Sequence, residues 1–204
     1  MEAVVQLARD EVVESRPFTA PANTTSDEDV MRSMLARMRA LAPSWLEHPG
    51  AGVLVRELDS DGYRHWIRVP DRHALVAAHE LTIVGFFGKA RDDVDHTLIH
   101  ELEGDIVDTL ERIPGVLSYY DLALPAGGYG NLILCGDEGA PSRFQGHELH
   151  RRAVELTPRH YRTVRLHTGT VAGRLLSDAP LVVRRTRYYD FDAVPAWLAV
   201  RDVD

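Results

Sequence analysis

The chain has 204 residues, 45% of them hydrophobic and 26% charged, enough for one folded domain or two small fused ones and without the composition of a disordered chain. Its formal net charge of −8 opposes general binding to nucleic acid or to an anionic membrane, both of which require clustered positive surface. No apolar run nears the roughly 20 residues of a membrane-spanning helix, and the acidic opening "MEAVVQLARDEVVESRP" lacks the basic start and apolar core of a secretory signal, so a cytoplasmic protein with neither membrane nor nucleic-acid partners is expected.

In chain order, "TTSDEDVMRSMLARMRALAPSWL" offers Ser26 as an N-cap, acids in the first turn, and Met31, Leu35 and Met38 at helical spacing, which predicts a helix over residues 27–45. After "HPG", the segments "AGVLVREL" and "YRHWIRV" form a hairpin across "DSDG". "RHALVAAHE" reads as a short helix leading into "LTIVGFFG", whose apolar, aromatic and β-branched content marks a buried, central strand. A second helix, "RDDVDHTLIHELEGDIVDTLERI", ends at "PG", and "VLSYYDLAL" and "YGNLILC" make a second hairpin around "PAGG". "GHELHRRAVEL" is a further helix, while "YRTVRLHTGTVAGRLL" and "PLVVRRTRYYDF" are extended segments separated by "SDAP". The single cysteine, Cys135, sits in the apolar run "NLILC" and reads as a buried thiol rather than a nucleophile. Lys89 is the only lysine among 23 basic residues, an arginine bias that fits a GC-rich bacterial genome.

The order helix, hairpin, short helix occurs twice. Pro49-Gly50 and Pro114-Gly115 lie 65 residues apart, Gly62-Tyr63 and Gly128-Tyr129 66, and His79-Glu80-Leu81 and His147-Glu148-Leu149 68, which predicts an internal duplication. The chain divides accordingly into a diverged N-terminal α+β repeat over 1–80 and a C-terminal repeat over 81–204, within one compact unit. Residues 81–191 read βαββαββ, an order that resembles the ferredoxin-like unit of the dimeric α/β-barrel superfamily. The resemblance implies an α+β fold, an antiparallel sheet with helices on one face. A tandem chain would pair its two sheets internally, or a second copy would supply the other sheet as a homodimer.

Three His-Glu-Leu sequences invite a metal test. His96 and His100 are four residues apart, near Glu101 and Glu103, a spacing that lets two rings meet one ion. At 100° per residue, however, the pair points away from the stripe Val94, Leu98, Leu102, Ile106 and Leu110, which predicts solvent-facing histidines and no metal site. "HELH" at His147 to His150 is read in the same way. No nucleophile elbow, H-E-x-x-H motif or Walker A loop is present, and "AGGYGN" joins two strands as a hairpin turn rather than a phosphate loop. The arginines of "VVRRTRYYDF" alternate along a strand and read as a solvated row, the alternative being a basic patch with aromatics that holds an anionic ligand.

In the expected fold one sheet face meets the helices and the other lines a barrel cavity. Alternation in "YRTVRLHTG" then sends Val164 and Leu166 to the helices and Arg165 and His167 to the cavity. Alternation in "YGNLILC" groups Tyr129 with Asn131, whose counterparts in the first repeat are Tyr63 and His65, and Tyr120 joins them by alternation with Ser118. His167, as acid or base near neutral pH, and Arg165, holding a carboxylate, enolate or phenolate, are the catalytic candidates. Tyr129, Asn131, Tyr120, Tyr63 and His65 are the substrate-binding candidates. The competing reading of these residues is the wet side of an open sheet or a polar subunit interface.

A cavity of aromatic walls and a few polar groups suits a small organic ligand. The expectation is a small-molecule enzyme acting without a cofactor on an aromatic or polyketide-like substrate by acid/base, oxygenase, isomerase or cyclase chemistry. Two alternatives stand beside it. One is a haem enzyme of the same fold, for which ten histidines offer axial ligands. The other is a non-catalytic ligand-binding or assembly protein.

Overall fold

The computed structural model describes residues 4–47, 50, 52–124 and 128–203. Pro49 and Ala51 ahead of the first hairpin, and Pro125, Ala126 and Gly127 of the turn expected around "PAGG", lie outside the described residues.

Among the described residues nine strands form one sheet: β1 (Val5–Gln6), β2 (Val53–Leu58), β3 (Arg64–Val69), β4 (Leu81–Ala90), β5 (Val116–Leu124), β6 (Gly128–Cys135), β7 (Tyr161–Val171), β8 (Leu181–Asp190) and β9 (Trp197–Asp202). Their order is β1-β9-β8-β7-β4-β6-β5-β3-β2. Only the short β1 pairs in parallel, with β9, so the sheet is mixed and the fold is α+β, as expected. Five α-helices accompany it: α1 (Pro21–Glu47), α2 (Arg72–Ala77), α3 (Thr97–Thr109), α4 (Ala140–Gly146) and α5 (Glu148–His160). None of the described helices is long and apolar enough to cross a membrane. The run "LTIVGFFG" lies within β4, at the middle of the sheet order.

Alternation along β4 sends Leu81, Ile83 and Phe87 to one face and Val84 and Phe86 to the other. On the first face those residues pack against Met31, Met34, Leu35 and Met38 of α1. On the second, Leu102, Ile106 and Val107 of α3 and Phe144 of α4 pack with Tyr119 and Ile133 of the sheet. Helices therefore cover both faces, where the sequence pattern predicted one helical layer. The physical reason is α1. It begins at Pro21, six residues ahead of the expected start, because a proline with its fixed φ fits a first helical turn. At 27 residues it is about 40 Å long at 1.5 Å per residue, enough to span most of a sheet face. Its close approach is set by Gly85, where an added Cβ would lie 2.3 Å from Met31 Sδ.

The second helix also shifts. The side chain of Asp95 accepts from the backbone N–H of Thr97 at 2.9 Å and starts α3 there, leaving Val94 outside the helix. The buried positions are Ile99, Leu102, Ile106 and Val107, while Leu98 is 38% exposed. The apolar stripe is rotated from the predicted one, and His100 and Glu103 turn inward with it.

Strand β9 and helix α4 were not foreseen in the sequence. In β9, Arg201 is buried and donates to the carbonyls of Ala8 at 3.1 Å and Thr19 at 2.8 Å, to the Glu11 carbonyl and to the Tyr188 hydroxyl. Its guanidinium also lies over the Tyr188 ring, so one side chain fastens the segment between β1 and α1 to the sheet.

Candidate functional site

The two faces of the sheet divide the residues singled out in the sequence. His167, Arg165, Tyr120 and His65 all face α1. Arg165 grips Asp27 of α1 in a two-point contact, Nε to Oδ2 at 2.5 Å and Nη2 to Oδ1 at 2.8 Å. His167, fully buried, sits between Asp27 Oδ2 at 2.9 Å and the Thr186 hydroxyl at 2.9 Å. The carboxylate that Arg165 holds is thus the protein's own, and the space expected beside His167 is filled by α1. Burial of three polar groups in mutual contact is a structural brace, since each satisfies the others away from water.

His65 belongs to a second brace. Its Nδ1 is 2.6 Å from the Tyr120 hydroxyl and its Nε2 is 3.0 Å from Asp59 Oδ2. Burial pushes the Tyr120 hydroxyl up to about 12, so it remains a donor, and the hydrogen bond from His65 holds the Asp59 carboxyl below its usual range. Tyr63 lies in the turn before β3, where its backbone N–H donates to Asp59 Oδ1 at 2.9 Å. Tyr120, His65 and Tyr63 therefore cluster around the β2–β3 turn.

Tyr129 and Asn131 point the other way, towards α3 and α5. Between that face and the helices lies a cavity of about 330 Å³. Phe86, Val84, Val164 and Leu166 form an apolar floor, and His100, Glu103, Tyr119, Asn131 and Tyr161 bring polar atoms to its walls. Val164 and Leu166 lie on the face opposite Arg165 and His167, as alternation predicted, and there they line this cavity. Tyr161 lies across the strand at Gly88, where an added Cβ would stand 2.5 Å from its ring carbons. Its ring makes edge contacts with Phe86 at 5.3 Å and Tyr129 at 6.4 Å.

Glu103 is the chemically distinctive group of the cavity. Burial, reinforced by the nearby Asp121 carboxyl, pushes it up to about 8. The Tyr119 hydroxyl donates to its Oε1 at 2.7 Å, and burial raises that phenol well above its own ordinary range, so the donor stays protonated. Asp121 is raised as well, by burial, and is held by Asn131 Nδ2 at 2.7 Å and Arg64 Nη2 at 3.1 Å. Asn131 also favours the ionised form of Glu103, and so bears on both carboxyls. Two carboxyls this close resist ionising together, which keeps a proton on the pair near neutral pH.

His100 stands beside Glu103 on α3, with its ring 5.4 Å from that of Tyr129. Burial, with Arg64 and His96 close by, lowers its basicity, so it is neutral near pH 7. Its Nε2 is buried and has no hydrogen-bond partner among the described residues. The prediction that His96 and His100 face solvent is therefore corrected: His96 rests against His160 at 5.3 Å between ring centres, and His100 lines the cavity. Among the described residues, no group of three His, Cys, Asp or Glu side chains is placed to hold a metal ion. Cys135 is fully buried, and burial pushes its thiol up to about 12, well away from nucleophilic reactivity.

The sequence reading missed Glu103, Tyr119 and Tyr161 as site residues. A signal for the first existed: Ile99, Glu103, Ile106 and Leu110 follow an i, i+4, i+7, i+11 series, which places a carboxylate within an apolar stripe. Tyr119 and Asp121 were hidden by choosing Tyr120, which alternates onto the opposite face.

Neither the protein-family models nor the curated proteins compared with this chain give a match. The site's chemistry therefore rests on its geometry. A carboxyl balanced near neutrality, a fixed phenol donor and a neutral imidazole surround an apolar chamber, an arrangement suited to moving a proton to and from a bound organic molecule.

Proposed function

We propose that the cavity binds a small, largely apolar organic molecule and that Glu103 transfers a proton to or from it, as in an isomerase or cyclase that works without a cofactor. The observation that carries this reading is the half-buried Glu103 carboxyl, held by the Tyr119 hydroxyl at 2.7 Å and pushed up to about 8 by desolvation, on the wall of a mostly apolar cavity. A base whose affinity for the proton matches the working pH is both available and strong enough to act. In the simplest cycle the Glu103 carboxylate accepts a proton from a carbon next to a carbonyl, and the C–H electron pair moves into an enolate. The His100 imidazole, in the tautomer with hydrogen on Nε2, donates to the enolate oxygen. The proton then returns from Glu103 to the same or a neighbouring carbon. Tyr119, Asn131 and Asp121 act through Glu103 as positioning residues.

The segment from β4 to β7 runs strand, helix, strand, strand, the short helix α4 and the long helix α5, then strand, with sheet order β7-β4-β6-β5 and its two long helices, α3 and α5, in contact. That order supports a ferredoxin-like unit, with α1 occupying the face that a second sheet would cover in a two-sheet barrel.

Proton exchange tests the proposal before any substrate is identified. The protein is incubated in D2O with a panel of aryl ketones and β-keto acids, and exchange at the acidic C–H is followed by proton NMR. Wild-type protein should exchange at least one member, with a rate that rises with pH through about 8, and Glu103→Gln should slow it at least about a hundredfold. Equal exchange by wild type and Glu103→Gln would contradict the assignment.

A further inference from the structure

The row of residues across the cavity floor states what kind of molecule fits. Asp121 pairs with Asn131, Asn131 with Phe86, Phe86 with Leu166, and Leu166 with Arg187 in successive strand registers. Directly opposed residues share a sheet face, so one straight line on the face under α3 and α5 runs acid, amide, phenyl, isobutyl, guanidinium. Three strand spacings separate Asn131, beside Glu103, from Arg187, a distance of about 14 Å at 4.7–4.9 Å per strand. The two ends differ in charge. Arg64 is engaged by Asp121 at the acidic end. Arg187 is exposed, lines the cavity, and has no ion pair or side-chain hydrogen bond among the described residues. It is the only arginine or lysine among the described lining residues, and the stacked rings of Tyr189 and Phe191, 5.9 Å apart, border the same side.

We infer that the ligand of this cavity is an elongated amphiphilic acid, with its anionic head on Arg187, its apolar body over Leu166 and Phe86, and its reacting carbon at Glu103. This rests on the reading of the cavity as a ligand site. Charge orients the molecule: at one end the Arg64 guanidinium is held by Asp121, while at the other the guanidinium of Arg187 attracts an anionic head, and the floor between them offers only dispersion and hydrophobic contact. A neutral molecule of the same length keeps the apolar contacts but loses the anchor. A compact acid reaches Arg187 and leaves the Glu103 end empty.

The experiment is calorimetric titration of wild type, Arg187→Gln and Leu166→Trp with decanoate and with decan-1-ol, a pair matched in length. Circular dichroism and melting temperature establish that each variant is folded. Wild type should bind decanoate about tenfold more tightly than decanol. Arg187→Gln, a change at an exposed position, should erase that preference without altering decanol affinity, and Leu166→Trp, which fills the floor, should weaken both ligands. Binding of both ligands with equal affinity, or a preference that survives in Arg187→Gln, overturns the anionic-head assignment while the cavity reading stands, provided Leu166→Trp still weakens both. Failure of folded wild type to bind either ligand, or binding indifferent to Leu166→Trp, overturns the cavity reading and this inference with it.

Discussion

Asp27 accepts hydrogen bonds from Arg165 and from the buried His167, so its removal strands a guanidinium and an imidazole under α1. Asp27→Ala should cost about 3 to 5 kcal/mol in urea denaturation, the usual effect of breaking a buried pair from one side, while proton exchange per folded molecule stays near the wild-type rate. A loss of exchange with stability intact would return His167 and Arg165 to the catalytic role that their residue types suggested. Glu103 makes the opposite kind of prediction. Its carboxyl is raised from 4.5 to about 8, so the folded state binds its proton more tightly than the unfolded chain does. The stability linked to that proton is complete below about pH 4.5 and declines as pH climbs through about 8. Melting curves of wild type and Glu103→Gln should therefore diverge across this interval, with wild type losing ground as pH rises; a constant difference would mean an ordinary carboxyl. The residue types of this chemistry were legible in the sequence, but their partners were not. Whether an arginine meets a ligand or an internal carboxylate depends on a helix 138 residues away in sequence.

At the scale of elements, β4 and its neighbours were legible because a continuous apolar, β-branched run admits few other readings. The boundaries of α1 and α3 were less so. For α1, Ser26 offered a plausible cap, yet Pro21 starts the helix, so Asp27 is its seventh residue rather than its first. For α3, including residues 91–96 in the helix rotated the assumed stripe enough to put Leu98 inside and His100 outside. The contact of α1 with β4 is close because position 85 has no side chain. Gly85→Val should push against Met31 and destabilise the protein by about 1 to 3 kcal/mol, as overpacking does. Gly85→Ala should cost less, because the Met31 side chain is flexible. Denaturation midpoints of the two variants check the order, and equal stability of Gly85→Val and wild type would mean that α1 does not bear on β4 there.

For the molecule as a whole, the α+β class followed from alternating helical and strand patterns, whereas the two-sided covering of the sheet did not. Met31, Met34, Leu35 and Met38 from the first 80 residues share one core with Leu132, Leu134, Val171 and Val183, a long-range arrangement that no local pattern encodes. With α1 on one face, the open chamber is left to the other, under α3, α4 and α5, and the polar groups that reach it come from α3, β5, β6 and β7 together. The proposed function of that chamber turns on one property, a Glu103 proton balanced near neutral pH. The most direct measurement is a carbon-13 NMR titration of the glutamate carboxyls from about pH 4 to about pH 10, in wild type and in Glu103→Gln. A carboxyl resonance that titrates near 8 in wild type and is missing from Glu103→Gln is the predicted result. If every glutamate has titrated by about pH 5, as in an ordinary exposed carboxyl, the proton-transfer role of this site is contradicted.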